Sequence, residues 1–376
     1  MMTRTPYYKI IVEGQDITAW VSSVQVVEDD RQADSVSITI PDPRMVFADA
    51  LMEGCEIQAD LGYAEKDQHA LMIKAMITKV DVSYTDGGVP GVKLSGEDKS
   101  ILMGLTERTK LWSKTTVGAI VRQIVQGHKF QGNKLFSSVS VRLSPDPKVV
   151  AEHQDGKTDL AFLQDLAKTY HAKCFVELDE NDKEVLYFIP ERRVVTLRRP
   201  DTLVLRYRQG PGSTLQSFSP SFDASYLDRM RDVKDVGDKG ERLKSPPEPP
   251  AEVAEWSLPK NLKARVRTSD FDRLEALFNA GAGHRKELQA KLAARRPSPG
   301  RVARTQADLD ATSDVLESRR LGMSATGSTF GSIWLRAKSN VTIAGVHARF
   351  AGDWYVTKVT HTIDTGGYRT EFSCVR

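Results

Sequence analysis

An α+β fold, mainly β, is what this sequence predicts, and three observations predict it. Segments near both ends alternate apolar and polar residues with a period of two. Between them lie two stretches with apolar residues at helical spacing. A charged, proline-rich tract and a basic helical stretch then interrupt the second β region. The order is β, α/β, β, helical insert, β. Two β regions of similar size are consistent with two related antiparallel barrels, the second split by the insertion.

The chain has 376 residues, more than one ordinary domain uses. A net charge of +3 is small for that length and lacks the concentrated basic face of a DNA-binding domain. Cys55, Cys174 and Cys374 are odd in number, far apart and without a CxxC pair, so no disulfide framework is expected and a reducing compartment is the simplest setting. MMTRTPYYKIIVEG has no long apolar core, so no signal peptide is expected, and no apolar run reaches the ~18 residues of a membrane span.

Tyr8 to Val12 opens as a short strand ending at Gly14. In ADSVSITI, Val36, Ile38 and Ile40 alternate with Ser35, Ser37 and Thr39, giving one buried and one wet face. Pro41-Asp42-Pro43 stops that strand because proline cannot donate to a ladder. A short helical run over 45–52 follows, then strands in EIQADLGYA, LMIKAMITKVDVSY and GVKLSGED, with a turn at Asp86-Gly87-Gly88. In TTVGAIVRQIVQGH, Val117, Ile120, Ile124 and Val125 share a helical face; in KTDLAFLQDLAKTYH, Leu160, Leu163, Leu166, Ala167 and Tyr170 do, with Thr158 placed to cap. KCFVELD and EVLYFIP form a hairpin around Glu180-Asn181-Asp182-Lys183.

From Arg192 the pattern is β again: VVTL, TLVLRYR and TLQSFSPSF. RDVKDVGDKGERLKSPPEPPAE has little to bury and reads as a linker or surface loop. Residues 260–304 carry twelve Lys/Arg against four Asp/Glu in a helical pattern. Ser269 with Asp272 resembles a capping box, and Gly281 and Gly283 break the helix. TQADLDATSDVLESRR is a further helix, and LGMSATG, SIWLRA, NVTIAG and a closing hairpin read as strands. The expected division is 1–105 for the first barrel, 106–190 for the α/β domain, 191–229 with 304–376 for the second barrel, and 230–303 for the linker and basic insert.

No catalytic, metal or cofactor set is expected. There is no GxSxG elbow, HxH or HExxH pattern, and no Walker lysine follows GPGST. LDENDKE lacks the glycine an EF-hand loop needs. Alternation puts His361 with Val359 and Ile363 on one face, between Thr360 and Thr362 on the other, which reads as a packed or interface histidine. ERRVVTLRRPDTLVLRYR carries Arg192, Arg193, Arg198, Arg199, Arg206 and Arg208. It reads either as a solvated strand face or as a docking face for an acidic protein surface.

The final residues, AGDWYVTKVTHTIDTGGYRTEF, supply a resemblance. Gly352, Tyr355, Val356, Val359 and His361, then Gly366, Gly367, Tyr368, Thr370 and Phe372, resemble the end of the phage late control D proteins, the baseplate hubs of contractile tails. These are similar in turn to the N-terminal part of type VI secretion spikes. TDLAFLQDLAKTYHAKCFVE and IIVEGQDITAWVSSVQVVEDD, with the alternating strand after it, resemble the family's middle and opening. The likeness covers most of the chain outside roughly 230–303.

The resemblance implies two tube-type barrels per chain and a trimer that offers six similar surfaces to a hexameric inner tube. It implies a separate trimeric spike as partner, other baseplate proteins around it, and DNA or protein cargo passing the lumen. The location it implies is the baseplate of a virion or injection particle, assembled in the bacterial cytoplasm. The ten matching residues would form the last barrel hairpin and its contacts. Two other readings stand beside it. A tail-associated cell-wall hydrolase would need a carboxylate pair with context, and a carbohydrate-binding adhesin would need an aromatic platform, whereas Trp20, Trp112, Trp256, Trp334 and Trp354 are dispersed.

Overall fold

The computed structural model describes residues 5–65, 68–170, 172–190, 203–208, 212–222, 262–287 and 323–376. By packing, residues 1–222 and 323–376 form one unit and residues 223–322 another.

In the first unit, the opening β region supplies β1 (Pro6–Val12), β2 (Gln15–Asp16), β3 (Ser23–Asp29) and β4 (Ser35–Pro41). The short helix α1 (Phe47–Ala50) leads into β5 (Glu56–Tyr63), β6 (His69–Ser83) and β7 (Gly91–Glu97). The middle region holds β8 (Glu107–Thr116), α2 (Val117–Gly127), β9 (Lys129–Phe130), β10 (Asn133–Lys134) and β11 (Ser138–Val141). It continues with β12 (Lys148–Thr158), α3 (Asp159–Thr169), β13 (Ala172–Leu178) and β14 (Glu184–Pro190). β15 (Leu203–Arg206) and β16 (Leu215–Phe222) precede the second unit, whose described helices are α4 (Leu262–Arg265) and α5 (Thr268–Ala280). The first unit ends with β17 (Met323–Phe330), β18 (Ser339–Ala344), β19 (Gly352–Asp364) and β20 (Gly367–Val375).

Both β regions belong to one 13-stranded sheet in the order β16-β17-β20-β19-β3-β4-β7-β6-β5-β1-β2, with β18 beside β19 and β15 beside β18. Every pair in it is antiparallel except β15 with β18. The seam is β19 against β3, with Thr360 opposite Val27 and His361 opposite Val26.

Alternation does what the sequence implies. Val24, Val26, Val36, Ile38, Ile40, Ile57, Leu61, Val92 and Leu94 turn inward to a first core, and Val341, Ile343, Trp354, Val356, Val359 and Phe372 to a second. A third core gathers α2 and α3 against β13 and β14: Val117, Ile120, Ile124 and Val125 with Phe162, Leu163, Leu166 and Phe188. Both helices start on threonine caps: the hydroxyl of Thr116 accepts from Ala119 N–H and that of Thr158 from Ala161 N–H.

Two local expectations are corrected. SIWLRA is turn and loop, not strand. Ile333, Leu335 and Ala337 are buried alternately all the same, so the segment mimics a strand's burial without a ladder. The Ser269–Asp272 capping box is not made: α5 begins at Thr268, its N-cap is Arg267, and no side chain caps it. The VVTL strand, the linker and TQADLDATSDVLESRR lie outside the described residues.

Candidate functional site

The closing hairpin of β19 and β20 runs through both β cores. Val356, Val359 and Phe372 sit in the second core, Ile363 and Tyr368 in the first. Between them His361 and Thr370 face each other across the ladder, both fully buried. His361 Nδ1 lies 2.9 Å from the Tyr368 hydroxyl and 3.2 Å from the Thr370 hydroxyl. Burial pushes the Tyr368 phenol above its ordinary range. The two hydroxyls fix the imidazole in place within the cores, the arrangement of a structural histidine.

The hairpin closes on Thr365-Gly366, with Asp364 opposite Gly367. Gly367 alone of the two glycines takes a positive φ, 101°, while Gly366 N–H donates to Asp364 Oδ1 at 2.7 Å. At the strand's other end Gly352 has φ 116°, and Arg376 Nη1 donates to Ala351 O at 2.7 Å. Tyr355 is half-buried.

The opposite face of this sheet is polar. One cross-strand row reads Arg369, Thr362, Gln25, Ser37, Ser95, Lys79; another reads Ser217, Ser328, Glu371, Thr360, Val27, Ser35, Glu97. Hydroxyls dominate and charges of both signs are interspersed; Val27 is the apolar member within the second row, and the rows continue past Arg369 to Phe330 and past Glu97 to the buried Met76. A shallow cavity on this face is lined by Ser217, Thr326, Ser328, Lys358, Thr360 and Glu371.

A charged junction ties the three cores together, and sequence reading missed it. Arg336, from the loop expected to be a strand, meets Glu28 through Nε and lies 3.5 Å from Glu177. Glu28 also accepts from Ala337 N–H at 3.0 Å. Lys338, 2% exposed and at φ 63°, places Nζ 2.9 Å from both oxygens of Asp34. Lys173 reaches Asp30 at 2.8 Å. Asp98 accepts from the N–H groups of Asp34 and Ser100 at 2.8 Å each. Burial, with Asp34 beside it, still pushes Asp98 up to about 6. The signal available in sequence was the pair of cations, Arg336 and Lys338, inside an otherwise apolar alternation.

Of the six arginines, Arg206 and Arg208 are exposed at the end of β15, where their backbone N–H groups bond to the hydroxyls of Thr214 and Ser213. Arg192, Arg193, Arg198 and Arg199 lie outside the described residues. Trp112 and Trp354 are buried, and Trp20 and Trp334 about half-exposed. Among the described residues no group of three or more His, Cys, Asp or Glu could hold a metal ion, and no helix is long and apolar enough to cross a membrane.

The described residues make a mainly β chain of almost wholly antiparallel strands. Its family is explicit: the chain belongs to the phage tail baseplate hub (GPD) family, whose model matches residues 34–231. No curated protein matches it. Among solved structures it is similar to a tail protein from Neisseria meningitidis, at 11% identity and TM-score 0.63, covering 99% of this chain and 97% of that one. It is also similar to the 43 kDa tail protein of prophage MuSo2 from Shewanella oneidensis, at 12% identity and TM-score 0.59, covering 99% and 98%. A component of the type VI secretion system from E. coli matches at 13% identity and TM-score 0.58, covering 98% of this chain and 76% of that one. At such identities the likeness is one of fold.

Proposed function

We propose that this chain is the trimeric hub of a contractile injection machine, joining a hexameric inner tube to a separate trimeric spike. The observation that carries the reading is the single, almost wholly antiparallel sheet with two cores along it, the first drawn mainly from the opening β region and the second from the closing one. Two barrel-like halves per chain, times three chains, present six similar surfaces; a sixfold tube seats evenly only on such a set. In this reading the halves are tube-type barrels, the closing hairpin is the last pair of the second, and Gly352, Tyr355, Val356, Val359, His361, Gly366, Gly367, Tyr368, Thr370 and Phe372 build its packing.

The polar sheet face fits a water-filled channel better than a protein contact, because it offers hydroxyls and balanced charges rather than an apolar centre. Family membership supports a place in the baseplate of a virion or injection particle. Arg206 and Arg208, with the four arginines before them in sequence, would dock an acidic neighbour. The function is structural, with no catalytic step.

Light scattering on the purified chain, alone and with the spike protein, tests the reading, with negative-stain images of the peak. A trimer with a central hole of tail-tube width is expected. A monomer in both preparations would overturn it and return weight to a hydrolase or an adhesin.

A further inference from the structure

Among the described residues, the lysines that meet a carboxylate differ in how much water reaches them. Lys79 and Lys157 pair on the surface, and Lys99 and Lys173 keep 14% and 11% of their side chains exposed. Lys338 keeps 2%, and its partner Asp34 is buried with it. Nζ lies 2.9 Å from each oxygen of that carboxylate, so it faces Cγ. The ring of Phe175 covers the amine, its centroid 5.0 Å from Nζ.

Both partners are held from several sides. Lys338, at φ 63°, donates its N–H to Val356 O at 2.9 Å. Asp34 donates its N–H to Asp98 Oδ2 at 2.8 Å and accepts at Oδ1 from Asp29 N–H at 2.9 Å. A third carboxylate stands beside the pair. Glu28 accepts from the N–H of Ala337, next to Lys338, and Arg336 holds it there. Burial raises the Asp34 carboxyl above its ordinary range, with the Lys338 charge opposing and the Glu28 charge adding to the rise.

In water an ammonium and a carboxylate do not condense, because both carry charge and water drives the reverse reaction. In a site without water, moving one proton from the ammonium to Asp34 removes both charges and leaves an amine beside an acid. We propose that Lys338 and Asp34 join in an intramolecular isopeptide bond, with Glu28 as the proton carrier. The Asp34 carboxyl turns about its soft χ2 to present its face. Nζ then adds to Cγ, and the C=O electron pair moves onto oxygen. Glu28 takes a proton from the nitrogen and returns it to the leaving hydroxyl as the carbonyl re-forms. One Nζ–Cγ bond is made, one Cγ–O bond is broken and one water leaves. Glu28 ends as it began, and nothing is oxidised or reduced. Positioning replaces chemical activation, since well-held partners react with effective molarities of about 10⁵ M or more.

The product ties the turn before β4 to the loop before β18, 304 positions along the chain, and so locks the opening β region to the closing one. The inference stands on this cluster alone and does not use the hub reading.

The test is the intact mass of the purified full-length chain under denaturing conditions. The expected result is a mass about 18 Da, one water, below that of the sequence, with any removal of Met1 counted. Trypsin should then leave residues 32–44 joined to 337–349, because it cannot cut after an acylated Lys338. Lys338→Arg keeps the cation without the attacking amine and should show its full sequence mass. A parent chain at full mass overturns the inference. A lost water that persists in Lys338→Arg, or that maps to Asp86-Gly87 or Asp155-Gly156 as a succinimide, overturns it too. Glu28→Gln keeps the size and an acceptor for Ala337 N–H but carries no proton, and should form the bond about a hundredfold more slowly. Bond formation at the parent's rate in that variant overturns the role given to Glu28, and the parent's mass decides the bond itself whether or not the variant folds.

Discussion

Gly331 shows how a single missing methyl group sets the seam between the two β cores. A Cβ there would lie 2.0 Å from the Tyr368 ring, so the phenol can rest on the backbone only because the residue is glycine. That ring also lies tilted against Tyr63, centroids 5.4 Å apart, and carries the hydroxyl that holds His361. Gly331→Ala is expected to destabilise the protein by roughly 1–3 kcal/mol, the usual range for overpacking a filled core. Gly127→Ala is the comparison. It ends α2 with nothing within 4 Å of a new Cβ, so its expected effect is neutral or slightly stabilising. Urea midpoints of the two variants measure the difference; equal midpoints would mean that Tyr368 moves aside freely.

At the scale of elements, period and capping chemistry carried far. The β3 and β4 alternation, the two helical faces and the threonine caps follow from local residue choice, because each reports one-sided burial or an orphan N–H near its own position. The segment 331–338 was illegible for a related reason. Ile333, Leu335 and Ala337 alternate as a strand does, but alternation records which side is buried and says nothing of a ladder partner. Its cations also meet carboxylates some 300 positions earlier in sequence, a pairing no local pattern encodes. The family's closing motif was legible; that one hairpin would serve two cores was not. The loop's role yields a prediction. Lys338→Met leaves Asp34 buried beside Glu28 without its cation, and removing one partner of a buried pair costs about 3–5 kcal/mol. Adding Asp34→Asn should recover part of that loss, since the charge goes with the cation. Thermal unfolding of the single and double variants measures it; a double variant no more stable than the single one would show that packing, not charge, dominates there.

For the whole molecule, topology makes the insertion separable. Phe222, the last residue of β16, pairs directly with Met323, the first of β17. Residues 223–322 are therefore the loop of what is otherwise an ordinary antiparallel hairpin. Shortening such a loop lowers the entropy of closing it, by about 0.6 kcal/mol per halving for a flexible chain. Two residues with positive-φ preference, Asn-Gly, suffice to join paired strands with the right twist. Replacing 223–322 by Asn-Gly should thus leave the remaining unit folded, with urea stability equal to or above the parent's. On the proposed hub reading, a shortened chain whose insert serves only an outside partner would also trimerise and bind the tube as the full chain is expected to. A shortened chain that folds but stays monomeric would instead place part of the trimer contact in the basic insert, where the excess of Lys and Arg over Asp and Glu offers a neighbouring copy an electrostatic partner.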